Sequence, residues 1–233
     1  MEVQKFIKNP SIQKTIEDRL KSRAGQFTTT LLSVINSNNL IAECRPETVL
    51  NAAMTAASMD LPINQNLGFA YIIPYKNKGV YEAQFQLGAR GFKQLAQRTG
   101  KYKYINDSDV REGEIKRRDR LSGAIEFEWN DDDVKRGKAK IIGYVSYFEL
   151  LNGFSSTVYM SMEDITAHGK RYSQSFKSGF GPWKDNFEAM ALKTVTKLNI
   201  SKNGPLSTEM ENAITADQSV DDGKERKYID NDE

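Results

Sequence analysis

Residues 139–162 read AKIIGYVSYFELLNGFSSTVYMSM. Two runs rich in aromatic and β-branched residues, Ala139–Leu151 and Phe154–Met162, flank Asn152-Gly153, the strongest turn signal in the chain, so the stretch reads as a β-hairpin. Before it, Ile125–Trp129 alternates strictly, with Ile125, Phe127 and Trp129 on one face and Glu126 and Glu128 on the other. Further back, Val80–Leu87 alternates well enough to pair with the apolar Phe69–Tyr75 across the polar turn Lys76–Gly79, and Tyr102–Val110 follows a short helix opened by Gly88 and Gly91 that runs to about Thr99. Helical patterns bracket these strands. Ser11–Ala24 spaces Ile12, Ile16 and Leu20 helically, and Gln26–Asn36 does the same with Phe27, Leu31, Val34 and Ile35. Pro46–Met59 begins with a proline suited to a first turn, and its Ala52, Ala53, Ala56 and Ala57 allow close approach of another helix or a neighbouring subunit. Beyond the hairpin, Met162–Tyr172 is helical, Ser173–Gly181 is a Gly/Ser loop and Pro182–Asn199 is the most convincing long helix. Helices, a sheet with an embedded helix, then helices again: the order predicts an α+β fold with helical N-terminal and C-terminal segments.

A chain of 233 residues can bury one substantial core. No apolar run approaches the roughly 20 residues of a membrane helix, and Met1–Lys8 lacks the apolar stretch of a secretion signal. The lone Cys44 excludes an internal disulfide and fits a small buried residue in a reducing cytoplasm. Charge is unevenly spread. From Ser207 to Glu233 nine acids face only Lys224, Arg226 and Lys227, a net −6 that leaves +8 on residues 1–206, since the whole chain carries +2. A basic body over residues 1–206 with an acidic, largely disordered tail over 207–233 fits a polyanion binder whose tail is a regulatory or partner-binding arm, or a plain solubilising one.

The body's charge is concentrated. Between Glu82 and Asp107 there is no acidic residue, and Ala83–Asn106 carries Arg90, Lys93, Arg98, Lys101 and Lys103 with Phe85, Phe92, Tyr102 and Tyr104 set among them. Cations for phosphates interleaved with flat rings for bases suit a single-stranded nucleic acid. The Pro182–Asn199 helix points the same way. Phe187, Met190, Ala191, Thr194, Val195 and Leu198 make a packing stripe, while Lys193 and Lys197 stand four apart on another face with no acid at the helical neighbour positions. A tertiary carboxylate or a phosphate would each relieve their repulsion. No Gly-Lys pair completes a Walker A loop, so hydrolysis of ATP through a P-loop is not expected. The single histidine, His168, lies in a basic segment and builds no metal or Cys–His centre. Asp131, Asp132 and Asp133, with Glu126 or Glu128, support the rival reading of a metal-dependent nuclease, although three consecutive aspartates cannot all face one ion and a solvated hairpin tip is the simpler reading. No helix-turn-helix with a plausible recognition helix is present.

Three blocks carry a resemblance. Leu61-Pro62-Ile63-Asn64-Gln65-Asn66-Leu67-Gly68-Phe69-Ala70-Tyr71 followed by Ile72-Ile73-Pro74-Tyr75, then Gln84-Phe85-Gln86-Leu87-Gly88-Ala89-Arg90-Gly91-Phe92-Lys93-Gln94-Leu95-Ala96, and finally Gly181-Pro182-Trp183 through Thr194, resemble the RecT family of phage single-strand annealing proteins over roughly residues 5–220. The resemblance implies a protein that is not an enzyme: it coats single-stranded DNA and anneals it to a complementary strand without ATP or another cofactor, a divalent cation assisting at most. It implies oligomers in rings or helical filaments, a partner 5′→3′ exonuclease, and contact with the host single-strand-binding protein through the segment after Pro205. It implies a small antiparallel sheet backed by helices, with residues 1–206 as a DNA-binding and annealing core that includes an N-terminal helical oligomerisation part, acting in the cytoplasm of a bacterial host. In this reading Arg90, Lys93, Arg98, Lys101 and Lys103 hold one strand with Lys193 and Lys197 across a groove. Lys116, Arg117, Arg118 and Arg120 clamp the second strand, and Tyr75 and Phe92 stack on bases or wedge between them.

Overall fold

The computed structural model describes the chain except for residues 1, 174, 175, 178–181, 218, 222, 224, 225 and 229–233 and the side chains of residues 182 and 226–228. Most of the expected Gly/Ser loop therefore lies outside the described residues. In chain order the first elements are α1 (Glu2–Ile7), α2 (Pro10–Leu20), α3 (Ala24–Ser37), α4 (Asn39–Ala42) and α5 (Pro46–Ser58). Next come β1 (Ala70–Asn77), β2 (Val80–Leu87), α6 (Ala89–Arg98), β3 (Tyr102–Arg111), β4 (Ile115–Arg118), β5 (Ile125–Phe127) and α7 (Asp133–Lys138). Last are β6 (Ile141–Leu150), β7 (Ser155–Ser161), α8 (Met162–Tyr172), α9 (Pro182–Asp185), α10 (Phe187–Asn203), α11 (Thr208–Ala216), β8 (Ser219–Asp221) and β9 (Arg226–Tyr228). The mixture of helices with small antiparallel sheets is the α+β fold expected. Contacts divide the chain into two compact units, residues 1–92 with 208–233 and residues 93–207, so the division falls inside α6.

In the first unit the helical spacing of the apolar residues does what it predicts: Ile16, Leu31 and Ile35 are buried. Asn9 caps α2 by accepting from Ser11 N, with Pro10 at the first turn. The alanines of α5 do not wait for a neighbouring subunit. Ala52, Ala53 and Ala56 are buried as α5 packs on β1 and β2, and Thr48 Oγ1 accepts from Ala83 N at 2.9 Å. β1 and β2 pair from Ala70↔Leu87 to Asn77↔Val80 around Lys78-Gly79, both at positive φ as a two-residue hairpin turn requires. The glycines of the Gly88-Ala89-Arg90-Gly91 block serve a close approach. Gly88 N donates to Phe69 O at 2.8 Å, and a Cβ on Gly88 or Gly91 would run into the carbonyl oxygens of Gly68 or Phe69.

The tail is more ordered than its composition suggests. Met210, Ala213 and Ala216 bury one side of α11, Asp217 Oδ1 accepts from Leu87 N at 2.8 Å, and Ser219 pairs with Phe85 to bring β8 and β9 onto the β1–β2 sheet. Apolar residues spaced along α11 and one buried carboxylate with a backbone donor outweigh the net charge of the segment.

The second unit is built on the sheet β3–β6–β7. The β6–β7 turn differs in detail from a two-residue Asn-Gly turn: Gly153 alone has positive φ and its N–H closes the turn on Leu150 O, a three-residue loop ending in a left-handed glycine. Across one face lies α10. Its Asn199 Nδ2 donates to Ser146 O (3.0 Å) and Ser156 O (3.2 Å), and Tyr144, Ile165, Trp183, Ala191 and Val195 close the core around it. The long helix expected over Pro182–Asn199 is broken at Asn186, whose side chain accepts from Ala189 N and starts α10 afresh. Asparagine competes for backbone N–H groups and so favours caps over helix interiors. At the other end of β3, Arg136 joins Glu114 (2.6 Å) and Asp109 (3.2 Å), and Arg111 Nη1 donates to the carbonyls of Arg136, Gly137 and Ala139. Burial alone would raise the Asp109 carboxyl, but the hydrogen bonds from Arg111 and Arg136 hold it below the usual carboxylate range.

Candidate nucleic-acid interface

The acid-free stretch resolves into the end of β2, α6 and the first half of β3. On α6, Phe92, Leu95 and Ala96 are fully buried. Phe92 therefore packs in the core and offers no ring to a base, because a helix that must bury a side spends its one phenylalanine there. Arg90 is exposed on the first turn and its guanidinium donates to Leu67 O at 3.3 Å. Lys93 pairs at 2.6 Å with Asp107, the acid that ends the stretch, and Asp107 also accepts from Thr196 of α10 at 2.9 Å. Lys93 is thus tied to β3 and serves the fold. Arg98 and Lys101 are exposed where α6 gives way to β3. Lys103, next on the strand, meets Glu149 of β6 at 2.8 Å; that contact holds the Glu149 carboxyl below its ordinary range and raises the lysine.

The second cluster sits on the ribbon β4–β5. Lys116 pairs with Glu128 at 2.9 Å across the ribbon, and the Arg118 guanidinium carbon lies 4.6 Å from the Tyr159 ring centroid. Asp119 shapes the tip: its carboxylate accepts from Leu121 N and Ser122 N, which holds it below the ordinary range, and Leu121 projects 99 % exposed beside Arg120. Lys101, Arg117 and Arg120 are exposed, and no carboxylate among the described residues pairs with any of them.

Helix α10 departs most from its sequence reading. Lys193 is buried, 9 % exposed, and both Lys193 and Lys197 have partners in the fold. The helix is buried on more than the stripe expected, because Thr196, Asn199 and Ile200 also turn inward where α10 crosses β3, β6 and β7. Lys193 does not face an open groove. Lys197, half-buried, lies near His168 of α8; burial first, then the charges of Lys197 and Lys202, depress the imidazole below its ordinary value. Tyr75 belongs to the first unit, half-buried on β1 opposite Glu82. The aspartates of the rival nuclease reading do not sit at a hairpin tip. Asp132 caps α7 by accepting from Val134 N and Lys135 N, Asp131 and Asp133 are exposed beside it, and Glu128 is paired with Lys116. Among the described residues no three His, Cys, Asp or Glu side chains gather where they could hold a metal ion. Among them, too, no helix is long and apolar enough to cross a membrane.

Residues 25–230 match the model of a family described as "RecT family". The chain is 44 % identical over 225 residues to the uncharacterized protein YqaK of Bacillus subtilis (strain 168), an alignment covering 97 % of this chain and 73 % of that one. It is 25 % identical over 223 residues to the protein RecT of Escherichia coli (strain K12), covering 91 % and 79 % respectively.

Proposed function

The chain belongs to the RecT family, which is associated with single-strand annealing in recombination, and on that basis we propose that it binds single-stranded DNA and anneals complementary strands without ATP. The observation that carries the reading is the set of exposed cations Lys101, Arg117 and Arg120, left unpaired by any carboxylate among the described residues while the neighbouring lysines are taken up in ion pairs. Lysine and arginine contacts to phosphate fix a strand by its backbone and carry no sequence information, which leaves the base edges free to pair. Exposed Arg98 lies beside Lys101 in sequence, and Arg118 beside Arg117 on the ribbon. Neutralising charge on two strands held together lowers their mutual repulsion, and an oligomer, ring or filament, makes successive pairing steps effectively intramolecular. No chemical step is required of the protein. In this role a phage-type 5′→3′ exonuclease supplies the single strand, the host single-strand-binding protein occupies it first, and the place of action is the bacterial cytoplasm.

The test is annealing of two complementary end-labelled oligonucleotides without ATP, with strand lengths checked on a denaturing gel. Faster pairing with intact strands is expected. Salt should weaken binding steeply, since each phosphate contact releases counterions. The triple variant Lys101→Glu, Arg117→Glu and Arg120→Glu is expected to lose single-strand binding while keeping its circular dichroism spectrum. Shortened strands would overturn the reading in favour of the nuclease; a folded triple variant that binds as before would remove these cations from the site.

A further inference from the structure

The register of the three-stranded sheet places a line of tyrosines on its open face. Tyr104 stands opposite Glu149, Tyr147 opposite Asn106 and Thr157, and Tyr159 opposite Val145. Side chains alternate across a sheet, and Ser146, Asp107 and Ser156 all reach α10, so the three tyrosines, at the other parity, stand on the face away from that helix. Each step from β3 to β6 to β7 moves one strand over and two residues along. The three positions therefore form a single diagonal, with neighbouring residues about 7–8 Å apart as diagonal cross-strand positions are.

A cation closes each end of the line. Lys103 Nζ is 5.2 Å from the Tyr104 ring centroid and the Arg118 guanidinium carbon is 4.6 Å from that of Tyr159. Two of the rings are held in place by their hydroxyls: Tyr147 donates to Glu149 Oε2 at 3.2 Å and Tyr159 to Ile142 O at 3.1 Å. Glu149 is the carboxylate on this face nearest Tyr104, and Lys103 engages it at 2.8 Å. Tyr104 is 53 % exposed, far more than core packing needs, and Tyr147 and Tyr159 are half-buried.

We infer that this face is a base-stacking platform for single-stranded nucleic acid, with Tyr104, Tyr147 and Tyr159 receiving successive bases, Arg118 holding a flanking phosphate, and Lys103, paired with Glu149, bracing the Tyr104 end. The inference rests on the single-strand reading above and adds to it where the bases lie. Flat rings accept any base, so a diagonal of them holds a strand without reading its sequence, and Arg118 at one end gives the track a cation for the backbone.

The experiment compares binding of the full-length protein to labelled oligothymidylate and to an abasic oligomer of the same length, by fluorescence anisotropy. The wild type is expected to bind oligothymidylate more tightly than the abasic strand. Tyr104→Ala is expected to weaken oligothymidylate binding at least about five-fold, the lower end of what one stacked base contributes, and to leave abasic binding unchanged; Tyr104→Phe is expected to keep wild-type affinity. Because Tyr104 is exposed, thermal melting should be unaltered in both variants. Unchanged oligothymidylate affinity in Tyr104→Ala, or an equal loss on both strands, overturns the platform and leaves the annealing reading standing. Wild-type protein that binds neither oligomer overturns both.

Discussion

The two faces of the β3–β6–β7 sheet are made from the same strands and have opposite fates. Along β6, Tyr144, Ser146, Phe148 and Leu150 on the covered face are all buried, at 2 %, 0 %, 0 % and 9 % exposure, while on the open face Val145 is buried but Tyr147 and Glu149 keep part of their surface in solvent. Tyr144 and Tyr147 are the same residue three positions apart. One joins the core with Ile165, Trp183 and Val195, where burial raises its phenol above the ordinary range; the other stands beside a charged pair. Residue type therefore does not say which face works. The helix laid across the sheet does.

The comparison breaks if the faces respond alike to truncation. Phe148→Ala is expected to cost about 3–5 kcal/mol of stability, the range for removing a buried aromatic side chain, and Tyr147→Ala clearly less, both read from urea denaturation midpoints. Equal losses would mean that the open face is packed after all. A smaller effect sharpens the polar part of the covered face. Asn199→Ala strips the donor from the carbonyls of Ser146 and Ser156 and is expected to cost about 1–3 kcal/mol, as for buried groups left unsatisfied, with single-strand affinity of the folded protein unchanged. The smallest effect concerns pH. The folded pKa of His168 lies below its ordinary value of about 6.5, so the unfolded chain takes up the proton first. Its stabilising share is complete above the unfolded pKa and is lost as pH falls towards the folded one. Denaturation midpoints should drop between about pH 7.5 and about pH 5.5, and His168→Gln should flatten that fall. A slope that persists unchanged in the variant would place the acid sensitivity elsewhere.

Helices α6 and α10 show how far the chain could be read in advance. Both were expected to present basic faces. On α6 the sequence placed Phe92, Leu95 and Ala96 on the packing side, as they are, and Arg90, Lys93, Gln94 and Gln97 outward; Arg90 and Gln97 are exposed, whereas Lys93 and Gln94 are half-buried. On α10 the stripe was right for Ala191, Thr194 and Val195, but Lys193 went inward with Thr196 and Asn199. A period of 3.6 identifies one packing side; it does not reveal that a helix is enclosed on others. The tyrosine diagonal was legible only in fragments. Tyr104 stood out for its acid-free surroundings, whereas Tyr147 and Tyr159 lie inside a hairpin whose alternation marks two faces without marking which one a helix will cover.

Local rules determined much of this protein from sequence alone: β2 and α8 fall on Val80–Leu87 and Met162–Tyr172 as read, and Gly88 and Gly91 mark a backbone approach only glycine permits. These depend on spacing, turn chemistry and sterics within a few residues of chain. Which cations remain available to a polyanion was decided only by tertiary structure. Lys93 meets Asp107 fourteen positions on, Lys103 meets Glu149 forty-six on, and Thr196 reaches Asp107 across eighty-nine. An ion pair needs its two charges close together in space, and separation along the chain does not say whether folding will bring them there.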